Sequence, residues 1–254
     1  MIAFAIGAAF ALAVAFAAYR AHALDRGGAI AAFAVGTLTF GIGGWQATLV
    51  LFAFFVPSTL LSRLGRARKR ALTDIGKGGA RDAWQVFANG GVAALALLFA
   101  RVHDAGAFAA FAGAFAAASA DTWGTEIGTL ARGTPRSILT LRRLATGLSG
   151  GITLQGSLAT LGGAACVALV AGAVHLASSL PIFIAGVVGA FADSFLGASA
   201  QALRYCPACA RDCETDPHVC GTPTVLRRGM SWLGNDAVNL AATLAGAAIG
   251  VLLA

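Results

Sequence analysis

GAFAAFAGAFAAASADTWGTEIGTL, residues 106–130, decides what kind of molecule this is. Its first fifteen residues are uncharged and mostly Ala, Phe and Gly, and the run then admits Asp121 and Glu126. At 1.5 Å per helical residue the stretch exceeds a bilayer core of about 30 Å. The rest of the 254-residue chain follows suit, with 58% hydrophobic and 11% charged residues and a mean hydropathy of +0.78. Soluble domains carry roughly 25% charged residues. This composition excludes a soluble globule, which would lack the polar groups to cover itself, and also a disordered chain and a disulfide scaffold. The fold class expected is all-α, a polytopic transmembrane bundle forming a single integral membrane domain over 1–254.

Outward from that stretch, apolar runs between charged or Gly/Pro punctuation predict about eight spans, near residues 1–19, 28–44, 45–61, 84–101, 106–130, 152–178, 181–203 and 235–254. The first is read as a true span and not a signal peptide, because Arg20 and Arg26 follow it and no basic segment precedes it. Residues 20–27, 62–83, 131–151 and 204–234 then share one side and hold 17 of the 18 Lys and Arg residues; only Arg101 lies opposite. That asymmetry predicts that these loops face the cytoplasm from an inner membrane. It also accounts for the net charge of +7 without nucleic acid as a partner; anionic membrane lipids suffice.

Ionisable groups inside a span cost about 2.5–3.5 kcal/mol on insertion scales and mark function by default. Asp121, Glu126 and Asp193 fall within predicted spans, and Asp236 sits at the mouth of the last. Asp121 and Asp193 lie roughly 14–15 Å from the cytoplasmic ends of their predicted helices; Asn89 and Asn239 are shallower. Thr125 shares a face with Asp121, and Gly124 and Gly128 form a small-xxx-small pair that admits a neighbour. Asp193, Gly197 and Gln201 repeat at four. ADTW at 120–123 echoes ADSF at 192–195, a weak internal pseudo-repeat. Carboxylates with Asn and Ser/Thr oxygens, under a basic rim, suit Mg²⁺ and phosphates. The competing readings are buried polar residues that tie helices together, and an ion path.

GKGG at 76–79 is not a Walker A loop, lacking its first glycine and a following Ser/Thr. Lys77 and Arg81 nonetheless lead into a helix start as point charges for phosphate. Arg142 and Arg143 precede TGLSGGIT at 146–153, a Gly-rich approach to a helix N-terminus that could cradle an anion or simply turn. In 205–222, Cys206-x-x-Cys209 and Cys220-Gly resemble two zinc-knuckle halves, with Cys213 or His218 as fourth ligand of a structural Zn²⁺. Reduced thiols without metal are the alternative. His22, His103 and His175 read as incidental, and Cys166 as a packed residue.

Together RKR at 68–70, GGARDAWQVFANGG at 78–91, ADTWGTEIG at 120–128, SGGIT at 149–153, ADSFLGA at 192–198 with Gln201, and WLGNDAVN at 232–239 carry a resemblance. They resemble the integral membrane family long labelled domain of unknown function 92, the transmembrane protein 19 family, from residue 60 onward. That family includes plant phytyl-phosphate kinase and is distantly similar to polyprenol kinases and CDP-diacylglycerol synthases. The resemblance implies transfer of a phosphoryl group from a nucleoside triphosphate, CTP favoured, to an isoprenyl monophosphate, with Mg²⁺. Leu148 departs from the Thr expected in the Gly-rich loop. On this reading Asp121, Asp193 and Glu126 hold Mg²⁺–nucleotide. Asn89, Thr125, Ser194, Gln201, Asn235, Asp236 and Asn239 belong to the same site, and Lys77, Arg81, Arg142 and Arg143 neutralise phosphates. The rival function is an ion-coupled transporter or lipid flippase using the same acids.

Overall fold

The computed structural model describes residues 2–65, 69, 79–100 and 104–254. Lys77, Arg101 and His103 lie outside the described residues. Among the described residues seven helices run α1 (Ile2–Arg20), α2 (Arg26–Arg63), α3 (Ala83–Leu97), α4 (Asp104–Leu130), α5 (Leu154–Ala173), α6 (Ser179–Ser199) and α7 (Asn235–Leu253). Two small antiparallel sheets interrupt them. One pairs β1 (Arg136–Ser137) with β2 (Gly151–Ile152); in the other, β3 (Leu203–Cys206) lies between β4 (Arg211–Cys213) and β5 (Val225–Arg228).

α2 is a hairpin in all but name. Gly44 breaks its backbone at φ 65°, ψ −158°, a region open chiefly to glycine. Phe10 of α1 touches Phe40 before the break and Phe52 after it, at 6.1 and 6.0 Å between ring centroids. Both ends of α2 return to the same end of the bundle: the Asp25 amide donates to Arg81 O, and Arg63 Nη2 donates to Ala21 O at 3.0 Å. Gly44 is where the sequence divides 28–44 from 45–61. By length and apolarity, α2, α5, α6 and α7 qualify to cross a membrane, while α1 and α3 are shorter apolar helices. This measure of the described residues does not confirm the about eight crossings expected; α4 is long, but its acids dilute its hydropathy.

α4 is the axis, burying Ala107 and nearly every residue from Ala109 to Ala120 among α2, α3, α5, α6 and α7. Small residues permit this. A Cβ on Gly113 would come within 2.4 Å of the Gly246 carbonyl of α7, so the backbones themselves are in contact, the usual packing currency in lipid. The approach expected at Gly124 and Gly128 is made by α5, through Gly156 and Thr160. Outward-facing Phe16, Leu169 and Leu252 are more than 60% exposed, a surface suited to hydrocarbon.

Local chemistry sets where the helices begin. Asp25 caps α2 by accepting from the Gly28 amide at 2.7 Å. Asp82 and Gln85 form a capping box on α3, and Thr153 Oγ1 accepts from the Gly156 amide at the start of α5. Each cap satisfies a backbone donor that the first turn leaves orphaned. All three caps stand at one end of the bundle, the end that gathers the described parts of the four basic loops.

Candidate functional site

That end holds a cavity of about 1290 Å³. Asp121 of α4, Asp193 of α6 and Asp236 of α7 line it, with Asn89, Thr125, Ser194, Asn235 and Asn239. Acids spaced as much as 115 positions apart in sequence therefore share one chamber. Asp193 interacts electrostatically with both Asp121 and Glu214, and Asp121 with Glu126. Asp193 Oδ2 is buried without a hydrogen-bond partner, a costly state for a carboxylate oxygen. Hard oxygen donors with one such unpaired atom fit a divalent cation such as Mg²⁺. Asp121 and Asp193 are the residues that could hold it.

Glu126 lines the same cavity but is already engaged. Its Oε1 accepts from Ser62 Oγ at 2.6 Å, and its Oε2 pairs with Lys69. Lys69 Nζ also donates to Leu61 O at 3.0 Å. Lys69 thus reaches the chamber from the basic stretch 62–83, where the sequence distinguishes it in no way from its neighbours.

Arg81 lines the cavity too, its backbone clasped between Ala23 O and the Asp25 amide. Burial pushes its guanidinium pKa below its ordinary value, with Glu126 opposing.

The Gly-rich stretch 146–153 forms one wall. Gly150, at φ 77°, sits so close to α6 that a Cβ would lie 2.5 Å from the Ala198 amide. Only glycine meets both demands. Glu214, which has no sequence signature, braces this wall. Its Oε1 accepts from the Ser149 amide at 2.7 Å, and its Oε2 from Ser149 Oγ and Gln201 Nε2, each at 2.9 Å. Burial pushes the Glu214 pKa up; the Ser149 bonds pull the other way.

Two expectations need correction, and the structure puts His218 in the cysteine cluster where the sequence leaves Cys213 or His218 open. Arg142 and Arg143 are exposed and do not line the cavity; they lie outside the β1–β2 ladder, with Arg143 bridged to Arg136 and Arg142 O accepting from the Ser137 amide. Gln201 is buried behind the wall, bonded to Ser149 and Glu214, and does not line the chamber. Cys213 is no member of the cysteine cluster. Sγ or ring-nitrogen atoms of Cys206, Cys209, His218 and Cys220 lie within 4.8 Å of one another, while the buried Cys213 Sγ donates to Thr215 O at 3.8 Å. Conversely His22, read as incidental, lines the cavity. Cys166 Sγ packs on Ala53 O at 3.6 Å.

A second, apolar crevice of about 90 Å³ lies among α1, α2 and α3, lined by Phe10, Val14, Val35, Phe52 and Phe115. Arg81, Gln85 and Asn89 border both spaces.

Comparison with known proteins places this architecture. The profile of the family described as "Integral membrane protein DUF92" matches residues 9–247. Protein PGR of Arabidopsis thaliana is 30% identical, with 91% of this chain and 89% of that protein covered. An uncharacterized membrane protein of Methanocaldococcus jannaschii, MJ0933, is 29% identical over 92% of this chain and 87% of its own length. No solved structure matches the chain. A profile that runs through all seven helices, together with a relative matched along nearly the whole length, makes this chain a member of the DUF92 family of integral membrane proteins.

Proposed function

We propose that this protein is a membrane phosphotransferase that moves a phosphoryl group from a nucleoside triphosphate, CTP favoured, onto an isoprenyl monophosphate such as phytyl phosphate. The observation that carries this reading is the convergence of Asp121, Asp193 and Asp236 from three helices, with Glu214, on one polar chamber beside a Gly-rich turn and a helix N-terminus. The resemblance to lipid-phosphate kinases points the same way.

In this reading Asp121 and Asp193 would hold the magnesium–triphosphate, and the ion would supply neutralisation of the charge on the transferring group. The wall at Gly150–Gly151 and the start of α5 offer backbone amides as donors to phosphate oxygens. Lys69 and Arg81 offset the remaining charge, Lys69 being oriented by Glu126. An oxygen of the lipid monophosphate attacks the γ-phosphorus, a P–O bond forms, and the bond to the nucleoside diphosphate breaks. The nucleophile is already anionic, so no strong general base is needed. The chief task is alignment. The tail leaves along the apolar crevice that shares Arg81, Gln85 and Asn89 with the chamber, and continues between helices into the bilayer. The chamber opens to the cytoplasm, on the side where the basic loops collect.

The test is purified protein in detergent with radiolabelled CTP, ATP, GTP or UTP and phytyl, farnesyl or geranylgeranyl phosphate. Label in the lipid diphosphate is expected for at least one pairing, with a requirement for Mg²⁺. No labelled lipid under any pairing overturns the reading.

A further inference from the structure

Residues 203–228 form a lid that the helices do not explain. Its three strands bury little: all of β5 is exposed, with Val225 at 61%. A segment this short and this open cannot draw its order from an apolar core. Yet it delivers Glu214 to within hydrogen-bonding distance of Ser149, 65 positions away. Something else must hold it.

The cysteine cluster has the geometry to do so. Cys206 and Cys209 flank the β3–β4 turn, and His218 and Cys220 lie beyond β4. Cys206 and His218 are buried at 0% and 2% exposure. The Cys206–Cys220 sulfurs are 3.6 Å apart, and Cys220 Sγ is 3.1 Å from His218 Nδ1. Zn–S bonds of about 2.3 Å in a tetrahedron place sulfurs about 3.8 Å apart, close to the separation found. Each half ends alike: Cys209 precedes Ala210 at φ 50°, and Cys220 precedes Gly221 at φ 83°. Alanine in the left-handed region is strained and persists only where its surroundings enforce it.

We infer that Cys206, Cys209, His218 and Cys220 bind one structural Zn²⁺, and that this metal knuckle holds the lid so that Glu214 braces the Gly-rich wall of the cavity. Cys213 lies outside the ligand set. It sits at the end of β4, next to Glu214, with its sulfur turned to the Thr215 carbonyl. Glu214 is a positioning residue: its carboxylate holds Ser149 and Gln201. A zinc site here stands whether or not the chamber transfers phosphate, and none of its tests uses catalysis.

The full chain is purified in detergent under reductant without chelator, and zinc is counted by mass spectrometry. One zinc per chain is expected, largely lost in Cys209→Ser and Cys220→Ser and retained in Cys213→Ala. Hydrogen exchange then reads the coupling. Removing zinc should speed exchange at the Ser149 amide by at least about tenfold, tracking the population of the open lid. Glu214→Ala should do the same with its zinc in place. Wild-type protein that neither retains nor takes up zinc, or carries a Cys206–Cys220 disulfide under these conditions, overturns the metal site. So does full zinc in Cys209→Ser. Unchanged exchange at Ser149 after zinc loss overturns the positioning role.

Discussion

The helical bundle and the lid over it are held by opposite means. In the bundle, Gly and Ala bring backbones into contact, as where Gly113 meets the Gly246 carbonyl, and the outward side chains are left to lipid. The lid has no such packing; it rests on polar anchors. Glu214 grips Ser149 and Gln201, Arg204 pairs with Asp216 at 2.9 Å, and Arg227 with Asp212 at 2.9 Å. The difference teaches where function sits. Carboxylates borne on the bundle are fixed by packing, whereas Glu214 arrives on a part held by polar anchors and, on the inference above, by zinc. A chamber walled by both is rigid on one side and adjustable on the other.

The largest expected effect tests the rigid side. Asp121→Ala or Asp193→Ala should lower lipid phosphorylation by at least about 10²–10³-fold, the scale for losing a preorganised electrostatic group, while membrane insertion and elution from a sizing column stay unchanged. Wild-type turnover in both variants would remove these acids from the site. Next, Gly113→Val should destabilise the bundle by about 1–3 kcal/mol or more through overpacking, read as a shift in denaturant unfolding in bicelles. The same variant should leave the exchange at Ser149 untouched if lid and bundle are separately held.

Smaller effects lie at the seam. Asp82→Ala removes the capping box of α3 beside Arg81, at a cost of about 1 kcal/mol, measurable in the same unfolding assay. The smallest concerns the lid itself. Hydrogen bonds from Thr224 hold the Asp216 carboxyl below its ordinary 3.8. A depressed folded-state value stabilises above the unfolded one and is lost as pH falls through it. Trypsin-like cleavage at exposed Arg211, assayed with an acid-tolerant protease, should therefore accelerate below about pH 4 in wild type, and Asp216→Asn should show the faster rate at neutral pH as well.

Some of this was legible in the residues. Asp121, Asp193 and Asp236 announce themselves because an ionisable group in an apolar run has no cheap explanation. Gly44 marks the turn in α2 for an equally local reason, since chiefly glycine tolerates the backbone there. Glu214 is different: an acid in a polar loop looks like any solvated charge, and its importance comes from Ser149, 65 positions earlier. Lys69 hides within a run of basic residues for the same cause. Arg142 and Arg143 misled because charge beside a Gly-rich turn says nothing of which way the backbone there faces.

By itself the sequence determined that the chain lives in a membrane, where it turns, and which helices carry acids, because hydrophobicity and helical period act over a few neighbouring residues. Only the tertiary structure decided that these acids open into one chamber, that Glu126 is spent on Lys69, and that His218, not Cys213, completes the cysteine cluster. The first two depend on the approach of segments far apart in the chain, and the third on the backbone direction of the loop at 206–220, which residue spacing does not encode.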